Sequence, residues 1–393
     1  MLTIEQLDRC YCTGCLACWA CCPTKCISIE VSQEGFLYPK IDKERCISCG
    51  KCASVCELTK ASTFHNDIKV FAAQIIDYER LSKSTSGGIA ALIAEDFIER
   101  GGIVYGCIYD EDLHVIHARI EDEKELGCLN GSKYVQSDFF RVYNTLIADC
   151  ISGKPVVIFG TPCQIAACRK FVGSDFDNLL LVDVICHGVA SPKLFGDYLE
   201  WMSQKIGEKV IYYNFRDKKH FGWGTNYIAK GISKESYGRF IKDPYYFAYI
   251  YGHNYRESCY LCPYADINRI GDVSLGDYWG LERKIADKFN VGLGVSAVLV
   301  NTKKGEDEFA RIKSKMNYVQ TSKENVLRKN TNLLHATLRP VIRDNFYTMY
   351  NKKGIKAIIK NMYCSSKYYE NIIRSLIPKI MKRMIKRLMG SDS

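Results

Sequence analysis

The chain has 393 residues, 47% apolar and 25% charged, a globular composition with length for two or three domains. No run of about 18 apolar residues occurs, which excludes a simple membrane-spanning helix. The net charge of +10 is gathered at one end, where residues 351–393 hold eleven Lys and Arg against two acids. The chain is therefore close to neutral with a basic tail.

Twenty cysteines are present, and eleven of them fall within the first 56 residues. Such density means either disulfides in a secreted chain or metal ligation in a reducing compartment. No basic-then-apolar leader precedes Cys10, so the expectation is a cytoplasmic protein whose cysteines bind metal. The first run is Cys12-x2-Cys15-x2-Cys18-x3-Cys22, followed by Pro23; the second is Cys46-x2-Cys49-x2-Cys52-x3-Cys56, followed by Glu57. This spacing is that of bacterial two-cluster ferredoxins, in which the fourth cysteine of each run ligates the other cluster. Three cysteines two residues apart wrap one loop around three corners of a cube, and the fourth begins a helical turn toward the partner cube. Cys12, Cys15, Cys18 and Cys56 are assigned to one [4Fe–4S] cluster. Cys46, Cys49, Cys52 and Cys22 are assigned to the other. Zinc is the alternative, but zinc sites favour pairs of CxxC. Cys10, Cys21 and Cys26 remain as small packing residues. The segment between the runs reads as a hairpin.

From about residue 68 the pattern alternates. Strands are expected at 68–76, 102–108, 115–120, 156–159, 179–185, 210–215 and 295–300, and helices at 87–100, 138–151, 191–204 and 303–315. The expected fold is α/β or α+β with a mixed sheet. The glycine loop Ser84-Thr85-Ser86-Gly87-Gly88 precedes a helix and reads either as an anion cradle or as a helix cap at Ser86. Gly160-Thr161-Pro162-Cys163-Gln164 and Asp183 to Gly188 close strands, where open α/β sheets place ligands. Cys259-x2-Cys262 is weak alone. Together with Cys163 and Cys186 it supplies four thiols for a third [4Fe–4S] cluster. His114 and His117 read as surface or packing residues, and the Gly292-Leu-Gly294 pattern runs into a strand rather than opening a helix.

The motif order STSGG, GSKYVQS, GTPCQ, DVICHG, NFRD, SCYLCPY and GDYWG resembles the beta subunit of coenzyme F-420-reducing hydrogenase and its dehydrogenase relatives, over roughly residues 1–330. The resemblance implies an FAD and a cluster close to it. Ser84, Ser86, Gly87 and Gly88 would then cradle its phosphates. Lys133 and Tyr134 would lie near the isoalloxazine, with Lys133 the candidate catalytic residue through its effect on the flavin potential. Gly160, Thr161 and Gln164 would line the pocket. The implied domains are a ferredoxin module at 1–62, a flavin-binding catalytic domain at 63–335 and a helical basic extension at 336–393. The expected function is an iron–sulfur flavoprotein oxidoreductase acting on an F-420-type deazaflavin or another two-electron substrate. The alternative is an electron-transfer adaptor that carries clusters without substrate chemistry. An external redox protein or ferredoxin is the expected partner, and nucleic acid is not. The amphipathic tail 371–389, with Ile373, Ile377, Met381 and Ile385 opposite Lys379, Lys382, Arg383 and Lys386, reads either as a packed helix or as peripheral contact with the inner membrane face.

Overall fold

The computed structural model describes residues 2–57, 67–173 and 176–376. The N-terminal module contains the expected hairpin, with β1 (Ile27–Val31) antiparallel to β2 (Leu37–Ile41) and Ile27 opposite Ile41. On either side of it lie one-turn helices at Ala17–Ala20 and Lys51–Ser54. The internal repeat extends to the backbone. Gly14 and Leu16 in the first run have φ of 68° and 60°, and the matching Ser48 and Gly50 in the second have 53° and 75°. Left-handed residues are uncommon outside glycine. Their recurrence at equivalent positions shows two copies of one tight loop.

The larger domain is a mixed sheet of eight strands among the described residues, in the order β13–β3–β12–β11–β7–β6–β4–β5. These are β3 (Lys69–Ile75), β4 (Ile103–Tyr109), β5 (Val115–Ile120), β6 (Val156–Gly160), β7 (Leu179–Val184), β11 (Val273–Asp277), β12 (Ser296–Val300) and β13 (Met316–Thr321). The central β11, β7, β6 and β4 run parallel, and β3 points the same way because it pairs antiparallel with β12, itself antiparallel to β11. Such strands are buried on both faces and read as apolar runs. Leu179–Val182 and Val156–Ile158 are of that kind, almost wholly enclosed. One face packs on the helix Ile89–Glu99 through Leu92, Ile93 and Phe97, and the other on the helix Pro162–Val172 through Ile165, Ala166 and Cys168. A second sheet of β8 (Tyr212–Asn214), β9 (Asn226–Lys230) and β10 (Glu235–Arg239) is antiparallel and lies in a separate, tyrosine-rich core.

Two expectations are corrected. The segment expected as one helix over 138–151 is a 3-10 helix at Phe139–Asn144 and an α-helix at Leu146–Ile151, broken at Thr145. Strand β11, at the centre of the sheet, was not expected: Val-Ser-Leu-Gly-Asp has too few apolar residues to stand out.

The helix Ile342–Tyr363 packs on the helix Pro192–Ile206 and kinks at Gly354. The following helix, Ser366–Leu376, rests on the body through the Tyr368 ring against Phe247 and Asn371 donating to the Tyr251 hydroxyl. The start of the C-terminal extension is thus packed, while residues 377–393, including Ile377, Met381, Ile385 and the basic residues named with them, lie outside the described residues. Among the described residues no helix is long and apolar enough to cross a membrane.

Candidate iron–sulfur and redox site

No cysteine is in a disulfide. The N-terminal thiols fall into the two crossed groups. Cys12, Cys15 and Cys56 lie close enough to Cys18 for their charges to act on its thiol, which burial pushes well up. A separate cavity is lined by Cys22, Cys46, Cys49 and Cys52 and closed by Ile27, Ile41 and Ile47. Cys26 joins this second wall, with its Sγ 3.4 Å from that of Cys22, and is buried; Cys21 is partly buried and packs against the same cluster, and Cys10 is partly exposed. Among the described residues no three ligand-type side chains are gathered tightly enough for a single ion.

The module docks by the side that carries the Cys12 group. Lys170 donates to the Cys56 carbonyl at 2.9 Å, Tyr264 donates to Glu57 at 3.1 Å, and Trp19 meets Phe140 edge-on. Glu57, which stands where the first run has Pro23, is thus a docking residue. The Cys46 group faces away, beneath the exposed Ile47.

The parallel strands bring the later motifs to one edge. The helix Pro162–Val172 begins with Pro162 at its first position and a reciprocal cap, in which the Thr161 N–H donates to the Gln164 side chain at 2.9 Å. Thr-Pro-x-Gln is a helix-start signature that the sequence displays. The cap sets Cys163 in the first turn, with its Sγ 3.2 Å from the Thr161 hydroxyl. Cys186 follows β7. An isolated bridge from Ala190 to Tyr255 and the Arg256 N–H donating to Val189 O at 2.9 Å tie this loop to the segment bearing Cys259 and Cys262. Behind Cys262, buried Arg269 pairs with buried Asp183 at the end of β7 and donates to the carbonyls of Tyr264 and Asp266. The four thiols converge, since the charges of Cys259, Cys163 and Cys262 all act on Cys186. Burial pushes Cys163 up to about 11 and Cys259 up to about 12. Four enclosed thiols cannot ionise together without a compensating positive group, and an iron cluster is one. Cys163 also acts on Cys15, so this set adjoins the Cys12 group.

The residues expected around a flavin have partners within the chain. The Ser84 hydroxyl donates to Arg80 O and the Ser86 hydroxyl to Val295 O. Gly87 is held against β3 and β12, where a Cβ would lie 2.3 Å from Ala73 O, and its N–H donates to Ser296. Gly88, at φ 84°, caps the helix Ile89–Glu99. The loop thus enters the helix through a close backbone crossing, with the Ser84 and Ser86 hydroxyls bonded within the chain. The Lys133 side chain is likewise held within the chain. Its ammonium donates to four carbonyls, those of Cys128, Leu129, Asn130 and Gly131, at 3.1–3.2 Å, and burial lowers its pKa. Gln164 donates to Ser137, and Gly160 packs on Gln164 and Ile165.

Tyr134 is where the expected residues meet a group that sequence reading did not single out. Its hydroxyl accepts from Arg216 Nη1 at 3.2 Å, and the same nitrogen pairs with Asp277 at 2.6 Å. Arg216 Nη2 is buried without a hydrogen-bond partner. Trp223 donates to Asp277 and stacks near Trp279, with ring centroids 4.3 Å apart. Lys218 donates to Leu81 O and Ser86 O, and burial brings it down to about 8. The signal for this group lay in the NFRD and GDYWG segments, whose charges stand beside aromatic residues.

Among known proteins, one chain of a solved structure, the xenon-derivatised F420-reducing [NiFe] hydrogenase complex from Methanosarcina barkeri, is similar at TM-score 0.43 and 16% identity. The match covers 76% of this chain and 92% of that chain. No curated protein matches. Residues 11–59 match the 4Fe-4S dicluster domain, and residues 153–325 match the C terminus of the coenzyme F420 hydrogenase/dehydrogenase beta subunit. The two matched segments contain both N-terminal cysteine runs and all four later cysteines, so the chain is similar to the C-terminal part of the coenzyme F420 hydrogenase/dehydrogenase beta subunit, with a segment similar to a 4Fe-4S dicluster domain ahead of it.

Proposed function

We propose that the protein is an iron–sulfur flavoprotein oxidoreductase that carries electrons between an external redox protein and a two-electron organic substrate, either an F420-type deazaflavin or another compound of that class. The observation that carries this reading is the convergence of Cys163, Cys186, Cys259 and Cys262 beside the docked Cys12 group. These four would hold a third [4Fe–4S] cluster, with Cys12, Cys15, Cys18 and Cys56 next and Cys22, Cys46, Cys49 and Cys52 outermost. The module would end near residue 62, and the catalytic domain near residue 335.

An FAD, when bound, supplies the exchange between one-electron and two-electron chemistry. The residues that fit such a group are Arg216, Tyr134, Trp223 and Trp279, because an unpartnered buried donor stands there among flat aromatic surfaces. Arg216 would bind and orient an acceptor atom, and the tryptophans would exclude water. The test is anaerobic purification, release and identification of flavin, then addition of reduced F420, NADH or dithionite with the spectrum followed. Protein-bound FAD bleached by one of the organic donors supports the reading. Clusters without flavin in protein purified from its native cells overturn it in favour of the adaptor, a reading favoured by the internal use of the Ser84, Ser86 and Lys133 side chains.

A further inference from the structure

We infer that Arg256 is a positioning residue that sets the reduction potential of the cluster assigned to Cys12, Cys15, Cys18 and Cys56, making it the easier of the two N-terminal clusters to reduce. The guanidinium is fully buried. Its Nε donates to Cys12 O at 2.7 Å, Nη1 to Leu37 O at 3.0 Å and to Gln136 Oε1 at 3.2 Å, and Nη2 to Cys12 Sγ at 3.8 Å. The rings of Tyr38 and Phe36 lie at 3.9 and 5.5 Å. Among the described residues no carboxylate lies within ion-pair distance of it, unlike the buried Arg216, Arg269 and Arg343. A buried cation requires an anionic complement. The thiolate set it touches is that complement, and its charge also acts on Cys163 and Cys259 on the other side.

Gly14 makes the room. It has φ 68°, and a Cβ there would stand 2.8 Å from Arg256 Nη1 and 2.4 Å from the Gln136 amide nitrogen. The second run breaks the symmetry: among the described residues, Arg45 beside Cys46 donates to Thr24 O and no arginine donates to a sulfur of that group. Reduction adds one electron to a cluster with no bond made or broken. A fixed cation and an N–H···S bond stabilise the more negative state. Among the described residues, only the N-terminal set facing the domain has both, so electrons entering at the exposed end run inward.

The test is a potentiometric titration of the full anaerobic chain with dithionite, followed by low-temperature electron paramagnetic resonance. Wild type is expected to show separated N-terminal midpoints. In Arg256→Gln the higher one falls by at least tenfold in its one-electron equilibrium, about 59 mV, while the lower moves much less, and Arg256→Lys retains part of the difference. Unchanged midpoints in iron-replete Arg256→Gln overturn the inference. Should that variant lose iron, wild type labelled with 15N-arginine decides: guanidinium 15N coupling at the first cluster reduced supports it, and its absence refutes it. The inference rests on the two-cluster assignment proposed above, which wild-type iron below about eight per chain would sink separately.

Discussion

His117 shows how burial turns a residue with no ligand into a pH-sensitive one. It lies on β5 with its ring edge-on to Phe139, its Nε2 bonds to Phe159 O at 3.0 Å, and its Nδ1 has no partner. Burial brings its pKa down to about 4. An unfolded histidine titrates near 6.5, so between those values the unfolded chain binds the extra proton. This contribution to stability is present above pH 6.5 and is lost as pH falls toward 4. At pH 5 the loss is about 2 kcal/mol. His117→Phe should flatten the slope of stability between pH 7 and 5; a variant with the wild-type slope contradicts the assignment. The sequence reading left His117 as a surface or packing residue, and the structure buries it. Lys133 is the opposite case. The motif around it marked the residue, but a motif cannot reveal that four carbonyls of the preceding turn enclose the ammonium. Lys133→Met leaves those carbonyls without a donor, and the expected result is a loss of about 1–3 kcal/mol in denaturant unfolding. Unchanged stability together with altered redox behaviour would support the redox role expected from sequence.

At the scale of elements, turn chemistry was legible and central strands were less so. The hairpin of β1 and β2 is marked by the turn between them, whereas the helix starting at Pro162 was not expected from the sequence, although its cap is written in Thr161 and Gln164. The glycine loop was ambiguous because Ser-Gly-Gly before a helix suits an anion or a close backbone crossing equally. The structure shows the crossing: Gly87 lies where β3 and β12 leave no room for a side chain. Gly87→Ala should therefore lower stability by about 2 kcal/mol or more through displaced backbone, seen as a fall in Tm with and without added flavin. A fall confined to the flavin-loaded protein would favour the phosphate cradle instead.

For the whole molecule, the arrangement depends on how the N-terminal module meets the rest. Arg343, with its side chain 2% exposed, pairs with Glu34 from the β1–β2 turn at 2.7 Å and donates to Tyr255 O. This joins the C-terminal helix, the hairpin and the segment before Arg256. Removing the carboxylate leaves the buried guanidinium with only the longer pairing to Glu257 at 3.7 Å, so Glu34→Gln should cost up to about 3 kcal/mol and ease proteolytic separation of the module. Resistance equal to wild type would show that Lys170, Glu57 and Arg256 hold the module without it. None of these contacts was readable from sequence, because each joins residues tens to hundreds of positions apart. The cysteine runs were readable, since cluster ligation writes its spacing locally.

The central claim is that the four later thiols form a cluster site adjoining the docked module. Iron and acid-labile sulfide per chain in anaerobically purified protein test it most directly, with Cys259→Ser beside wild type. The account predicts about twelve irons in wild type and about eight in the variant, with the N-terminal cluster signals retained. About eight in both would contradict it.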